Sequence, residues 1–351
     1  MREGADNAPF LNLYRAQISG KQPLHFLISF VTISIHGFAL CDNGKGVFMT
    51  KEQFMEQVTE EIRQKSSQVD LDISCGIFLK NNDTTRHGIV LKKRDEFISP
   101  TVYVDGFYQD FLRKKKTIPE VAQKVLEALE KVKEHAELYQ DFSVEFEDCR
   151  DKIIYRLISY DRNRNYLETV PYLPFLNLAI VFNVVCNISG HGLETITVTN
   201  ELLDKWDTST RELIRLAEEN TPRLLPVTMD SLTSILTKYI GITNDIESSA
   251  DSSSQMPMIL VSNQSGVNGS AVMLYPGVIH RLACQYESNL FILPSSIHEI
   301  IAVPDLYCGT GKELSRMVQD INQNHVGEEE VLADTAYYYD RTEKKFSYEQ
   351  D

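Results

Sequence analysis

The stretch ILPSSIHEIIAVP, Ile292 to Pro304, sets a serine pair, a histidine and a glutamate between two apolar runs. Ser295, His298 and Glu299 are the residue types from which a hydrolase assembles a nucleophile, a base and an orienting carboxylate. Such parts seldom come from one short stretch, because neighbouring side chains diverge, and this one lacks the glycines of a nucleophile elbow. The same residues also have a structural reading. Ser296 and Glu299 stand at capping-box spacing, at which the hydroxyl accepts from the glutamate N–H and the carboxylate accepts from the serine N–H. That spacing predicts a tight helical turn between two strands, and the residues favour it over catalysis.

A second constellation lies upstream. In PGVIHRLACQY, His280 and Cys284 are four apart on a predicted helix and so share one face. With His298 they would make a three-ligand set that suits zinc. The competing reading is a core cysteine beside a surface histidine. Arg223, in ENTPRLLP, would suit a carboxylate or phosphate ligand, against the commoner use as a structural ion pair. The glycines of SGHG (Ser189–Gly192) fit a tight turn better than a phosphate cradle. None of these patterns implies a cofactor.

The elements that must position these residues follow from periodicity and turn chemistry. Lys51–Lys65 carries Phe54, Met55, Val58 and Ile62 at helical spacing. DISCGIFLK and IVLKK flank the turn NNDTTRHG and read as a hairpin. ISPTVYVDGFYQDFL starts extended and turns into a helix. Thr117–Glu120 opens a helix to about Leu138, and Ser209–Glu212 opens another that ends before Glu219. Further helices are predicted near Asp148–Leu157 and Asp230–Tyr239. LAIVFNVVC is a buried type of strand. MILVSN, QSGVNG and SAVMLY read as strand, turn and strand. NLFILP and IIAVP are strands, KELSRMVQDINQNH is a helix, and DTAYYYDRTEKKFSY closes as a hairpin. Helices and tight hairpins alternate irregularly, which predicts α+β with largely antiparallel sheets.

IESSADSSSQ has no core-forming residues and reads as a linker. It suggests an N-terminal α+β lobe over 49–246, a linker over 247–255 and a C-terminal α+β lobe over 256–351. The net charge of −15 repels phosphate backbones and argues against nucleic acid. The basic run Arg113–Lys116 opposes that trend and suits a helix C-terminus. The six cysteines are widely spaced with no C-x-x-C pair, as expected of thiols in a reducing cytoplasm.

Residues 1–48 stand apart. Leu24–Leu40 is apolar and near the short limit of a membrane span, but it carries two histidines, and its acidic leader does not suit a signal peptide. The codons of Gly44-Lys45-Gly46 allow a purine-rich block just before Met49, like a ribosome-binding site. The expectation is that the natural protein starts at Met49, and a membrane partner is expected only if Leu24–Leu40 is translated and inserted.

ISPTVYVDGFYQDF, ELIRLAEENTPRLLP, GSAVMLYPGVIHRLA and LFILPSSIHEIIAVP, in that order, resemble a bacterial family catalogued as domain of unknown function 5688, over about Met49 to Tyr348. The resemblance implies a fold and a cytoplasmic setting, and no activity, substrate or cofactor. The reading that results is a non-enzymatic binding or regulatory protein whose partner is another protein. The alternative is a hydrolase or metal-dependent enzyme centred on the Ser295–His298–Glu299 loop.

Overall fold

The structure is a computed structural model that describes residues 49–65, 71–93, 101–136, 142–189, 192–232, 234 and 257–349. The segment before Met49, with Leu24–Leu40, and the Ser-rich stretch 247–255 lie outside them. The fold is α+β, and the strand pairings among the described residues are antiparallel. The chain forms two compact units that meet in sequence at Asn220 and Thr221.

The first unit opens with α1 (Lys51–Lys65), which buries Phe54, Met55, Val58 and Ile62 as the periodicity predicts. A three-stranded sheet follows in the order β1 (Leu71–Leu79), β2 (Thr85–Lys93), β3 (Thr101–Tyr103). Helices α2 (Asp105–Leu112) and α3 (Ile118–Ala136) complete this part. Phe54, Val58 and Ile62 pack with Ile73 and Ile89 of the sheet and with Val121 and Val125 of α3. Each such side chain contributes about 1.5–3 kcal/mol when fully buried. The basic run ends α2, with Lys116 paired to Asp110 at 2.5 Å. Half of the Thr117 capping box forms, the Thr117 N–H donating to the Glu120 carboxylate at 2.7 Å.

Next come α4 (Phe146–Cys149), β4 (Ile153–Ser159), α5 (Arg164–Leu167), β5 (Tyr172–Phe175), β6 (Leu178–Ser189) and β7 (Gly192–Thr197). The helix expected near Asp148–Leu157 is mostly strand β4. Its run IIYRLIS is rich in β-branched residues and buried on both faces, which suits a strand that pairs along its own length with Leu178–Val184 of β6. β6 is the spine of this sheet. Leu178–Val181 pairs with β4 on one edge and β5 on the other, and β7 continues the β5 edge from Asn183. The SGHG motif falls partly outside the described residues. After β7, α6 (Asn200–Lys205) and α7 (Thr210–Leu224) lead out. The Glu212 N–H donates to Ser209 Oγ at 3.3 Å, while the Glu212 carboxylate turns instead to Arg215 at 2.6 Å. Helix α7 runs on through Pro222, past the predicted end.

The second unit is built on a six-stranded sheet. Its strands are β8 (Val227–Ser231), β9 (Ile259–Asn263), β10 (Leu290–Ser296), β11 (Glu299–Pro304), β12 (Tyr337–Asp340) and β13 (Lys345–Tyr348), in the order β13-β12-β10-β11-β9-β8. β8 pairs with β9 along its length, so the strands on either side of the Ser-rich stretch are neighbours in one sheet. Asp230 and Ser231 therefore belong to a strand rather than to the helix predicted there, and residues 235–239 lie outside the described ones. SAVMLY is not a strand either. Asn268 takes a left-handed conformation at φ 53°, and Gly269–Leu274 coils as a 3₁₀ helix. Two helices follow the chain: α8 (Val278–Gln285) before β10 and α9 (Gly311–His325) after β11. α9 starts on a complete Thr310–Glu313 capping box. It lays Leu314, Val318 and Ile321 on Leu293, Ile301 and Val303, which share one face of the central β10–β11 hairpin. On the other face, Leu290 and Ile292 stand opposite Tyr339 and Tyr337 of β12.

Candidate functional site

The residues of the opening motif meet at the tip of the β10–β11 hairpin. Ser296 pairs directly with Glu299, leaving Ile297 and His298 as a two-residue turn, and a register shift between Pro294 and Ser296 makes Ser295 a bulge residue. The expected helical turn with its capping box is therefore a tight β-hairpin. Spacing of three serves both devices, but Ser296 Oγ accepts from the His298 N–H at 3.0 Å rather than from Glu299.

The tip is held from outside as well. The Ile297 N–H donates to the Glu330 carbonyl at 2.8 Å. The Ile297 carbonyl accepts from Ser270 Oγ at 2.8 Å and from the Ser270 N–H at 3.2 Å. The His298 carbonyl accepts from Ser262 Oγ at 2.8 Å. His298 Nδ1 accepts from the Asn268 N–H at 3.2 Å, so the ring carries its proton on Nε2. Gly269 is required in this clasp, since a Cβ there would overlap Ser262 Oγ and the His298 carbonyl.

Beneath the turn the side chains are sealed. Glu299 is 3% exposed and Ser295 7%. Ser295 Oγ, Glu299 Oε1 and Glu330 Oε2 are buried with no hydrogen-bond partner. Burial, and then the nearby Glu330 carboxylate, raise Glu299 to about 8, while the neighbouring Ser295 hydroxyl opposes the shift. Burial, and then Glu329, raise Glu330 as well. Burial lowers His298 to about 4. At neutral pH the histidine is thus uncharged and Glu299 keeps its proton. Beside Ser295 lies an apolar cavity with room for about one water, walled by Leu293, Ile301, Met317 and Ile321.

A hydrolytic triad needs a serine–histidine bond and a histidine–carboxylate bond reaching an open cleft. Here Ser295 Oγ makes no hydrogen bond to His298, Nδ1 of His298 is occupied by a backbone N–H, and burial favours the protonated form of Glu299. The three side chains share a hairpin tip and do not form a relay. The proposed zinc set is not assembled either. His280 and Cys284 do meet on α8, with Nε2 and Sγ 3.6 Å apart. His298 is tied into the hairpin clasp, and no three His, Cys, Asp or Glu side chains gather as a metal site among the described residues. Arg223 is exposed in the last turn of α7, where a cation complements the helix C-terminus.

Two features of this unit were not read from the sequence. Glu330 comes from a turn after α9, far from the hairpin along the chain, and only the folded backbone brings it to the tip. The other is the turn Asp305–Leu306–Tyr307 after β11. The Asp305 carboxylate accepts from Ser288 Oγ at 2.6 Å, Tyr338 Oη at 2.9 Å and Asn289 Nδ2 at 3.3 Å, and its N–H donates to the Asn289 carbonyl at 3.1 Å. On this fixed turn Leu306 is 75% exposed and Tyr307 51%. An aspartate followed by two large apolar residues just after a Pro is the signal that was available.

The family model described as "Family of unknown function (DUF5688)" matches residues 51–341. The chain belongs to this family. Its matched region spans both compact units, including the hairpin tip and the Asp305 turn. No curated protein and no solved structure matches the chain. Among the described residues no helix is long and apolar enough to cross a membrane.

Proposed function

We propose that this member of the family is a non-enzymatic binding protein whose partner is another protein, engaged through the Leu306–Tyr307 turn. The observation that carries this is the contrast within one turn. Asp305 fixes the backbone through three side-chain donors, while the next two residues put large apolar side chains into water. Leaving a leucine exposed forgoes up to about 1.5–3 kcal/mol of burial, and the half-exposed tyrosine adds to it. A partner with an apolar pocket recovers that energy, and a pre-ordered turn lowers the entropic cost of binding. The acidity of the chain favours a protein partner over nucleic acid. A reducing cytoplasm fits the same reading, and the five free thiols among the described residues support it. A hydrolase centred on Ser295, His298 and Glu299 would need a cleft and a serine–histidine bond, neither of which the geometry supplies.

The test is a photo-crosslinking side chain placed at position 306 in cells that express the protein. A discrete protein adduct, absent with the same group at exposed Glu343 and lost on Tyr307→Asp, is expected. Equal adducts at both positions, or none at 306, would overturn the reading.

A further inference from the structure

We propose that His280 and Cys284 form a two-ligand binding site for zinc on the outer face of α8. This is independent of the docking turn and rests on a different observation. Residues four apart on a helix share a face, and here Nε2 and Sγ stand 3.6 Å apart. Zinc–sulfur and zinc–nitrogen bonds of about 2.3 and about 2.1 Å at a tetrahedral angle separate the two donors by about 3.6 Å. The ligand edge of a tetrahedral site is thus already present without movement of either side chain.

The surroundings favour the same assignment. Cys284 is exposed, so an ion reaches the sulfur directly. The His280 ring lies against Tyr339, their centroids 6.4 Å apart, which restricts its rotation. Its Nδ1 is buried without a hydrogen-bond partner, so Nε2 is the nitrogen presented beside the sulfur. A thiolate and an imidazole select zinc and similar soft or borderline ions over magnesium or calcium. Two protein ligands leave two tetrahedral positions for water or for the same pair on a second copy. Because Nδ1 has no acceptor to support it, binding is weaker than at a structural four-ligand site. On binding, the Cys284 thiol gives its proton to solvent and the sulfur's lone pair forms the bond to zinc, with no change of oxidation state.

The experiment is titration of the reduced full chain with zinc by calorimetry, and with cobalt(II) by absorbance. Cobalt reports thiolate ligation through a near-ultraviolet charge-transfer band. The expected result is saturable zinc uptake, at one ion per chain or one per two chains, with the cobalt band present. Cys284→Ser, at an exposed position, removes the band and the isotherm, and His280→Gln greatly weakens both. Absence of uptake would overturn the proposal, as would uptake that survives Cys284→Ser, which would place the ion on other ligands.

Discussion

Asn163 and Asn82 hold each other in both directions. The Asn82 N–H donates to Asn163 Oδ1 at 2.7 Å, and Asn163 Nδ2 donates back to Asn82 Oδ1 at 2.9 Å while also reaching the Ser159 carbonyl at 2.8 Å. Asn82 sits at φ 60° in the turn between β1 and β2, and Asn163 is fully buried beside β4. Next to it, the Asp83 carboxylate accepts from the Asn165 and Tyr166 N–H groups at 2.8 and 2.9 Å and so caps α5. The NND turn therefore ties the first sheet to the second within one unit. Asn163→Ala leaves several buried groups unpaired and should cost about 2–3 kcal/mol. Asn82→Gly keeps the left-handed backbone and the N–H bond to Asn163 Oδ1, so it should cost less. Urea unfolding of the two variants checks the order, and equal losses would show that the reciprocal pair is not what matters.

Gly269→Ala probes the clasp on the hairpin tip. The added methyl collides with the Ser262 hydroxyl and with the His298 carbonyl, and the second of these is backbone. Destabilisation of about 3 kcal/mol is expected. Adding Ser262→Gly should not restore stability, because the carbonyl remains in place. Full rescue in the double variant would mean that the clash is with the flexible side chain alone.

Much of the fold was legible in the sequence, and the reasons for the failures are particular. α1, the β1–β2 hairpin and the β12–β13 hairpin have strong periodicity or turn chemistry, so local sequence is enough. The apolar run of β4 carries no period that separates a strand from a buried helix, and its identity comes from pairing with β6 at long range. SAVMLY is a short apolar run after a turn, as a hairpin strand would be, yet the left-handed Asn268 and the clasp around His298 impose a 3₁₀ coil. At the site, Ser296 and Glu299 were seen to belong together, but their spacing does not distinguish a capping box from a two-residue hairpin. Glu330 could not be foreseen, since nothing near Glu299 in sequence specifies which turn lies over it.

The buried glutamate predicts how stability responds to pH. The folded value for Glu299, about 8, lies above its ordinary value of 4.5. Below about 4.5 both states are protonated and nothing is lost. As pH rises further, the unfolded chain releases the proton and the folded one keeps it, so stability falls by about 1.4 kcal/mol per pH unit until about pH 8. His298, lowered from 6.5 to about 4, opposes this on the acid side, because there the unfolded chain binds the proton first. The net fall should therefore show between about pH 6.5 and about pH 8. Glu299→Gln should flatten it and be more stable than the parent at the alkaline end. An unchanged slope in that variant, measured by urea midpoints across the range, would exclude Glu299 as its source.

The Asp305 turn separates stability from binding. Asp305→Ala removes an acceptor from Ser288 Oγ, Tyr338 Oη and Asn289 Nδ2, although Ser288 keeps the Asn289 carbonyl and Asn289 keeps Tyr338 Oη, and it should cost about 1–2 kcal/mol. Leu306→Asp changes a side chain that is mostly in water, so its effect on stability, followed by thermal unfolding, should stay within about 0.5 kcal/mol. If the turn is a docking element, the second variant loses the crosslinked partner while remaining as stable as the parent. The first loses the partner in proportion to how far the turn loosens, which hydrogen exchange at Leu306 and Tyr307 would measure. A Leu306→Asp variant that unfolds early would instead show that Leu306 is covered in the native protein, and the turn would then be part of its core.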